Sequence, residues 1–272
     1  MRRFLKSLVE RNPALALSLR SYRHWATLQR QRPSPTPFGF SLMGHAAMQS
    51  GHFEPEETAV VQKLLPDIAV FVDVGANIGF YACLARAAGK QTVAIEPLAS
   101  NLDYLYANLQ ANGWDDVEVI PCGLARRPGT AVLYGSGTGA SLVSGWAGAP
   151  ATLRQTIPLS TLDIVLGGRF AGQRLLIKID VEGVEYDLLQ SADQTLAQTP
   201  PPTWLVEIAF HEHHPGGLNR QFAETFALFW RHGYQAVTAD AAQRAVTPGD
   251  VQRWLDSGTR DFGGPNYLFV QN

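Results

Sequence analysis

The sequence predicts an α/β fold built on an open, mostly parallel sheet, and three observations predict it. Short apolar runs bounded by turn residues alternate with segments of helical apolar period, as parallel strands joined by crossover helices require. Acids and glycines collect where those runs end while their middles stay apolar, as in a sheet whose carboxyl edge carries a ligand. The third observation is Phe71-Val72-Asp73-Val74-Gly75-Ala76-Asn77-Ile78-Gly79-Phe80-Tyr81, a strand-like run, a glycine turn and the start of a helix. Such a corner lets backbone approach a small molecule closely.

In chain order, residues 1–32 stand apart. Arg2, Arg3, Lys6, Arg11, Arg20, Arg23, Arg30 and Arg32 face the single acid Glu10. Asn12-Pro13 reads as a helix start, with Asn as cap and Pro in the first turn. Leu15, Leu19, Tyr22 and Ala26 then form an apolar stripe with Trp25 beside it. A basic amphipathic arm of this kind suits packing on the following domain, or contact with an anionic membrane or a partner. Pro33, Pro35 and Pro37 make a short stiff linker. The expected division is an arm and linker over 1–37 and one α/β domain over 38–272.

Within the domain a helix is expected over 56–65, a first strand at 69–74 and a helix over 79–88. A strand at 91–96, a helix at 98–112 and a strand at 117–121 follow. A hairpin near 130–134 leads into a glycine-rich loop, Gly135 to Pro150, holding Ser141, Ser144 and Trp146. A loop of that length reads as a lid. Ile157-Pro158-Leu159 adds an extended piece before a helix at Leu162. A strand at 175–180, its helix at 184–191, a strand at 203–208, a helix at 221–232 and strands at 234–238 and 267–270 complete the sheet.

Composition narrows the functions. A net charge of −2 leaves the whole chain without an electrostatic footprint for nucleic acid. Cys83 and Cys122, with no CxxC, favour a reducing compartment and exclude a disulfide framework. No apolar run approaches a membrane span. Met1-Arg2-Arg3 resembles a signal n-region, but Glu10, Arg11, Asn12 and Pro13 interrupt any apolar stretch after it, so a cytoplasmic protein is expected.

Spacing narrows the ligand. A dinucleotide fingerprint needs G-x-G-x-x-G with a helix N-terminus facing the pyrophosphate. Here the pattern is Asp73-x-Gly75-x-Asn77-x-Gly79. An acid at that strand end repels a pyrophosphate and suits the cationic amino-acid end of S-adenosylmethionine. Glu96, after the next strand, stands where a carboxylate accepts both hydroxyls of a ribose. Asp180 and Glu182 precede the turn at Gly183, whereas Glu185 and Asp193 read as helix caps. Lys178 shares a strand face with Asp180 and needs a counter-charge. Glu207 ends the fifth strand, and His211-Glu212-His213-His214 follow. Three imidazoles beside acids raise a metal reading, but the motif is not HExxH and no metal is assigned. A histidine base or substrate clamp suits the pattern better. Trp146 either stacks on a sugar or flat substrate, or pins its loop.

These motifs, in this order, resemble the FkbM-type S-adenosylmethionine-dependent methyltransferases. The resemblance rests on Asp73 to Tyr81, on Ala94-Ile95-Glu96-Pro97 with Asn101, Leu105 and Asn108, and on Lys178-Ile179-Asp180-Val181-Glu182-Gly183-Val184-Glu185. Gly51-x-Phe53-Glu54-Pro55 and Asn266-Tyr267-Leu268-Phe269 look like the same family; the basic arm falls outside it. The resemblance implies a class I methyltransferase fold, Rossmann-like, with a seven-stranded mostly parallel sheet, one antiparallel strand near the carboxyl end and helices on both faces. It also implies methyl transfer to oxygen, typically a hydroxyl of a sugar, glycan or polyketide-type metabolite. By carry-over, Asp73, Gly75, Asn77 and Gly79 line the methionine end of the cofactor, Glu96 holds its ribose and Asp180 lies beside the methyl.

Ala76, Phe80, Pro97, Cys122 and Glu182 complete the expected cofactor set. Glu54, Trp146 and Glu207 form the expected substrate set. The catalytic candidates are Asp180 and one of His211, His213 or His214. The expected partner is a small-molecule or glycan acceptor, not a nucleic acid. Two other classes stay open. The glycine spacing argues against a nicotinamide-dependent oxidoreductase, and Asp180 with Glu182 argues against a non-catalytic nucleoside-binding module working through its arm.

Overall fold

The computed structural model describes Tyr22 and residues 25–271. The helix start at Asn12-Pro13 and most of the basic arm lie outside the described residues; residues 25–30 are helical. Ser34–Pro35 in the proline segment pairs antiparallel with Ser41–Leu42. The strands that follow are β1 (Val70–Val74), β2 (Gln91–Ile95), β3 (Glu118–Ile120), β4 (Gly123–Leu124), β5 (Gly129–Tyr134) and β6 (Arg154–Ser160). Then come β7 (Leu175–Ile179), β8 (Thr203–Glu207), β9 (Gln235–Thr238), β10 (Ala245–Val246) and β11 (Asn266–Val270). The main helices are α1 (Pro55–Leu64), α2 (Phe80–Ala87), α3 (Ala99–Ala111), α4 (Leu162–Leu166), α5 (Glu185–Leu189), α6 (Phe222–Arg231) and α7 (Pro248–Ser257).

Eight strands form one sheet in the order β10-β9-β11-β8-β7-β1-β2-β3. From β8 to β3 all neighbours are parallel, while β11 runs antiparallel to both β8 and β9. Seven of the eight form the arrangement that the resemblance implies. The eighth, β10, was not expected: a two-residue edge strand leaves no periodicity to read. Helix α7 was also unexpected, although Thr247 caps it, Pro248 opens it and Asp250 completes a capping box.

Both sheet faces are covered, which explains the near-continuous apolar strands. Val70, Val72, Val74, Ile177, Ile179 and Val206 pack into one core with residues of α4 to α7. Phe71, Leu176, Leu205 and Leu268 pack into the other with α1, α2 and α3. Burying each such side chain contributes roughly 1.5–3 kcal/mol. Strands β1 and β7 lie side by side at the centre, and the strand order departs in opposite directions from them. A crevice therefore opens at their carboxyl ends.

A second, three-stranded sheet, β4-β6-β5, stands beside that crevice. The hairpin expected near 130–134 is not local. β5 pairs antiparallel with β6 across the whole glycine-rich loop, from Gly129 opposite Leu159 to Tyr134 opposite Arg154. Tyr134 also bridges Ser141 inside the loop, but the ladder partner of β5 is the extended piece beyond it.

Candidate active site

The turn after β1 contains a position that only glycine can occupy. Gly75 has φ +84°, and a Cβ there would lie 1.8 Å from the backbone oxygen of Asp180. The two segments are tied in place: Asp180 N–H donates to Val74 O (3.0 Å), and the Gly75 and Ala76 N–H groups donate to Ile95 O (2.9 and 3.0 Å). Asn77 follows at φ 52°, and Gly79 caps α2. Helix α3 braces this loop. Asn101 Nδ2 donates to Glu96, Leu105 fills the space beside Gly79, and Asn108 Nδ2 donates to Ile78 O at 2.8 Å. Spacings of four and three place all three on one helix face.

A cleft of ≈ 620 Å³, open to solvent, lies between this loop, the strand ends and the small sheet. Gly75, Asn77, Glu96, Pro97, Cys122, Asp180 and Glu182 line it, and among the described residues no Lys, Arg or His does. Glu96 Oε2 accepts the Asn77 N–H (2.8 Å), and Oε1 accepts the Leu98 N–H (2.8 Å) and Asn101 Nδ2 (3.3 Å). Burial pushes the Glu96 carboxyl up to about 7 against the pull of these bonds. Asn77 Oδ1 is buried without a partner. Leu133, Ala140, Leu142 and Ile157 supply an apolar wall from the small sheet and loop. That wall escaped the sequence reading, because nothing in β5 or β6 signals what they face.

Four expected cofactor residues stand outside the lining. Asp73 is 1% exposed, in register with Lys178 on the neighbouring strand. Ala76 is buried, and Gly79 caps a helix. Phe80 belongs to an aromatic cluster with Phe38, Phe53 and Tyr81.

At the end of β7 one lysine faces several acids. Lys178, 3% exposed, donates to Asp180 Oδ2 at 2.9 Å and lies 4.8 Å over the Tyr81 ring. Tyr81 in turn donates to Glu54 Oε2 at 2.8 Å. Burial opposes the charge on Lys178, but Asp180, Glu54 and Asp73 outweigh it and raise its pKa. Burial pushes Asp73 up to about 7. Burial, then Asp180, pushes Glu182 up to about 8. Glu207 is held well above the usual carboxylate range, first by Asp180 and then by burial. Among the described residues no three His, Cys, Asp or Glu side chains converge as metal ligands.

The glycine-rich loop is fastened over this end. Trp146 Nε1 donates to Glu182 Oε2 (2.5 Å), and Ser141 Oγ donates to Glu182 O (2.5 Å). A Cβ on Gly183 would lie 2.3 Å from the Trp146 ring. Trp146 therefore pins its loop, in a buried position outside the cleft. Glu54, Asn77, Ala147, Glu182 and His213 all have left-handed backbone. Such residues cost about 1–3 kcal/mol each and gather at functional sites.

None of the three histidines lines the cleft. His211 and His213 are exposed. His214 meets Trp146 edge-on with centroids 4.7 Å apart; its Nε2 is buried without a partner, and burial lowers its pKa. Glu212 accepts the N–H groups of Phe210 (2.7 Å) and His211 (3.1 Å) and pairs with Arg260. Glu54 and Glu207 also lie outside the lining, near Asp180 and Lys178. Across Asn77, Asn101, Gly137 and Thr138 lies a second hollow of ≈ 940 Å³, bordered by Gln31, His45, Ser100 and Tyr104 and by no charged Lys, Arg, Asp or Glu.

A search of curated protein sequences gave no match. Solved structures similar to the chain include an O-methyltransferase from Bacillus cereus in complex with SAH, at 10% identity and TM-score 0.46, covering 79% of this chain and 80% of that one. A ribosomal protein L11 methylase from Lactobacillus delbrueckii subsp. bulgaricus matches at 10% identity and TM-score 0.42, covering 81% and 79%. Precorrin-6y C5,15-methyltransferase from Geobacter metallireducens matches at 12% identity and TM-score 0.40, covering 78% and 85%. The family model "Methyltransferase FkbM domain" matches residues 73–236, from the acid of the first strand into β9. Over more than half its length, and through every motif around the cleft, the chain belongs to the FkbM methyltransferase family, whose methyl donor is S-adenosylmethionine.

Proposed function

We propose that this methyltransferase alkylates a hydroxyl oxygen of a sugar, glycan or polyketide-type metabolite, with Asp180 taking the hydroxyl proton. The observation that carries the reading is Asp180 itself. It lines the cleft and is held by Lys178 at 2.9 Å, with Glu182 and Glu207 close enough to feel its charge.

The cleft fits a cationic nucleoside. Glu96, Asp180 and Glu182 line it without any basic side chain among the described residues, and Asn77 Oδ1 lacks a partner. A pyrophosphate would meet three acids and no cation. Gly75, Asn77, Glu96 and Pro97 are the residues that would hold the cofactor, which when bound supplies a methyl group already activated on a sulfonium. The chain has then to provide position and a base. Lys178 fixes the Asp180 carboxylate for that task. The charge of Asp180, followed by burial, holds the Glu207 carboxyl well above the usual carboxylate range. Among the described residues the rim of the second hollow carries no Lys, Arg, Asp or Glu, which supports a neutral, hydroxyl-rich acceptor.

The test is a methyl-transfer assay against glycan extracts and polyketide alcohols, following S-adenosylhomocysteine release and locating the methyl by NMR. Transfer to oxygen is expected. Asp180→Asn should keep cofactor affinity and lower turnover about 10²-fold or more. A methyl found on nitrogen or carbon refutes the oxygen assignment, and wild-type turnover in Asp180→Asn refutes the base.

A further inference from the structure

We propose that Glu54 and Tyr81 are positioning residues for methyl transfer, holding the Lys178 side chain where it fixes the Asp180 carboxylate. The inference rests on the reading of Asp180 as the base. Glu54 stands immediately before α1, at a left-handed φ of 40°, and Pro55 opens the helix. An acid there ordinarily turns its carboxylate onto the free N–H groups of the first turn. Among the described residues Glu54 has no such bond, and its Oε2 accepts the Tyr81 O–H at 2.8 Å instead. A non-glycine residue keeps this backbone only where its surroundings impose it, and such positions gather at functional sites. Glu54 thus forgoes a helix cap and serves Tyr81, behind the base rather than against the acceptor.

Tyr81 lies on α2 and is buried, with ring centroids 5.1 Å from Phe80 and 6.3 Å from Phe53. Those rings and the bond to Glu54 set its orientation. Lys178 Nζ lies over the Tyr81 ring, 4.8 Å from its centroid, where a ring face attracts a cation. The same ammonium donates to Asp180 Oδ2 at 2.9 Å. Asp73, in register with Lys178 on β1, adds its charge, but its Oδ2 is buried without a partner. A lysine stem is flexible, so the bond to Asp180 alone would let ammonium and carboxylate swing together. The ring face supplies the second point that stops them. Displacing a reacting group by about 1 Å can lower turnover about 10²-fold, so a loosened base is read in kcat.

Methyl transfer into the hydroxyl acceptors of a glycan extract, read as S-adenosylhomocysteine release, tests the proposal. Tyr81→Phe keeps the ring and removes only its bond to Glu54, and Glu54→Ala removes the other end of that bond. Each should lower kcat about tenfold and leave KM for S-adenosylmethionine within about twofold of wild type. Calorimetry with S-adenosylhomocysteine verifies the fold of both variants. Neither substitution should slow the enzyme further in an Asp180→Asn background, because both act through Asp180. Nitrogen NMR of the lysine ammonium groups needs no acceptor: the Lys178 protons should exchange with water about tenfold faster in either variant. Wild-type turnover in Asp180→Asn overturns the base reading and this proposal with it. Loss in Asp180→Asn, with wild-type kcat and wild-type exchange in the other two variants, overturns the positioning alone. An additive loss in the Asp180→Asn background also overturns it, since the pair would then act elsewhere.

Discussion

Gly75→Ala tests the central corner of the site. The added carbon would stand 1.8 Å from the Asp180 oxygen and 2.9 Å from its carbonyl carbon, where Cβ contacts under 3.0 Å essentially do not occur. The two chains must then part by more than an ångström. Neither yields cheaply, because both are backbone and both are hydrogen-bonded into the sheet through Val74 and Ile95. Two costs add. A left-handed φ costs an alanine about 1–2 kcal/mol, and overpacking adds about 1–3 kcal/mol. Their sum, about 2–5 kcal/mol, corresponds to a fall in Tm on the order of 4–9 °C for a chain of this size. Gly89→Ala is the control: its φ is +75° and nothing lies within 4 Å, so it incurs the first cost alone. Urea unfolding by circular dichroism and calorimetry with S-adenosylhomocysteine compare the two variants. If Gly75→Ala unfolds no earlier than Gly89→Ala and binds as tightly as wild type, the approach to Asp180 is not what this glycine serves.

Three further substitutions probe the neighbourhood. Glu96→Ala leaves the donors of Asn77, Leu98 and Asn101 without their acceptor. It should weaken S-adenosylhomocysteine binding by about 1–3 kcal/mol in calorimetry, and unchanged affinity would remove Glu96 from the cofactor site. Gly183→Ala drives a Cβ into the Trp146 ring and should release the loop, speeding limited proteolysis between Gly135 and Pro150, and Trp146→Ala should do the same; wild-type protection in both variants counts against a pinned lid. Glu182, raised mainly by burial to about 8, favours the folded state below its ordinary value of 4.5 and loses that contribution as pH rises through about 8. Glu182→Gln cannot ionise, so between about pH 5 and about pH 9 it should gain on wild type by on the order of a few kcal/mol in urea unfolding, and parallel curves contradict the assignment.

Where the sequence is legible, local chemistry and tertiary demand coincide. β1 and β7 read as buried strands because both of their faces are covered. Gly75 reads as essential because one backbone must touch another. Lys178 was expected to need a counter-charge and has one in Asp180. The small sheet was harder, since β5 and β6 find each other across the glycine-rich loop and neither the pairing nor the cleft wall leaves a local mark. The His211 loop misleads in the opposite sense. Its imidazoles look like chemistry, yet two face solvent, and the third is tucked against Trp146. Helix α7 escaped the sequence reading although Thr247-Pro248 and Asp250 carry a capping signal and Val251 and Trp254 form a buried face.

The acids at the carboxyl edge differ less in type than in what each is given. Glu96 receives two backbone N–H groups and an amide, and Asp180 receives the ammonium of Lys178. Glu182 receives an indole N–H and a left-handed backbone, and Glu207 sits beside Asp180 with its pKa raised by that charge. One buried lysine cannot neutralise Glu54, Asp73 and Glu207 together, and the carboxyl pKa of each is raised. A cleft that among the described residues lacks basic side chains and borders such a set is prepared for positive charge. The loop that Trp146 pins is anchored to Glu182 itself, so the wall of the cleft and its electrostatics depend on the same turn at Gly183. Any change that frees the loop also exposes Glu182 to water and removes the burial that keeps its proton.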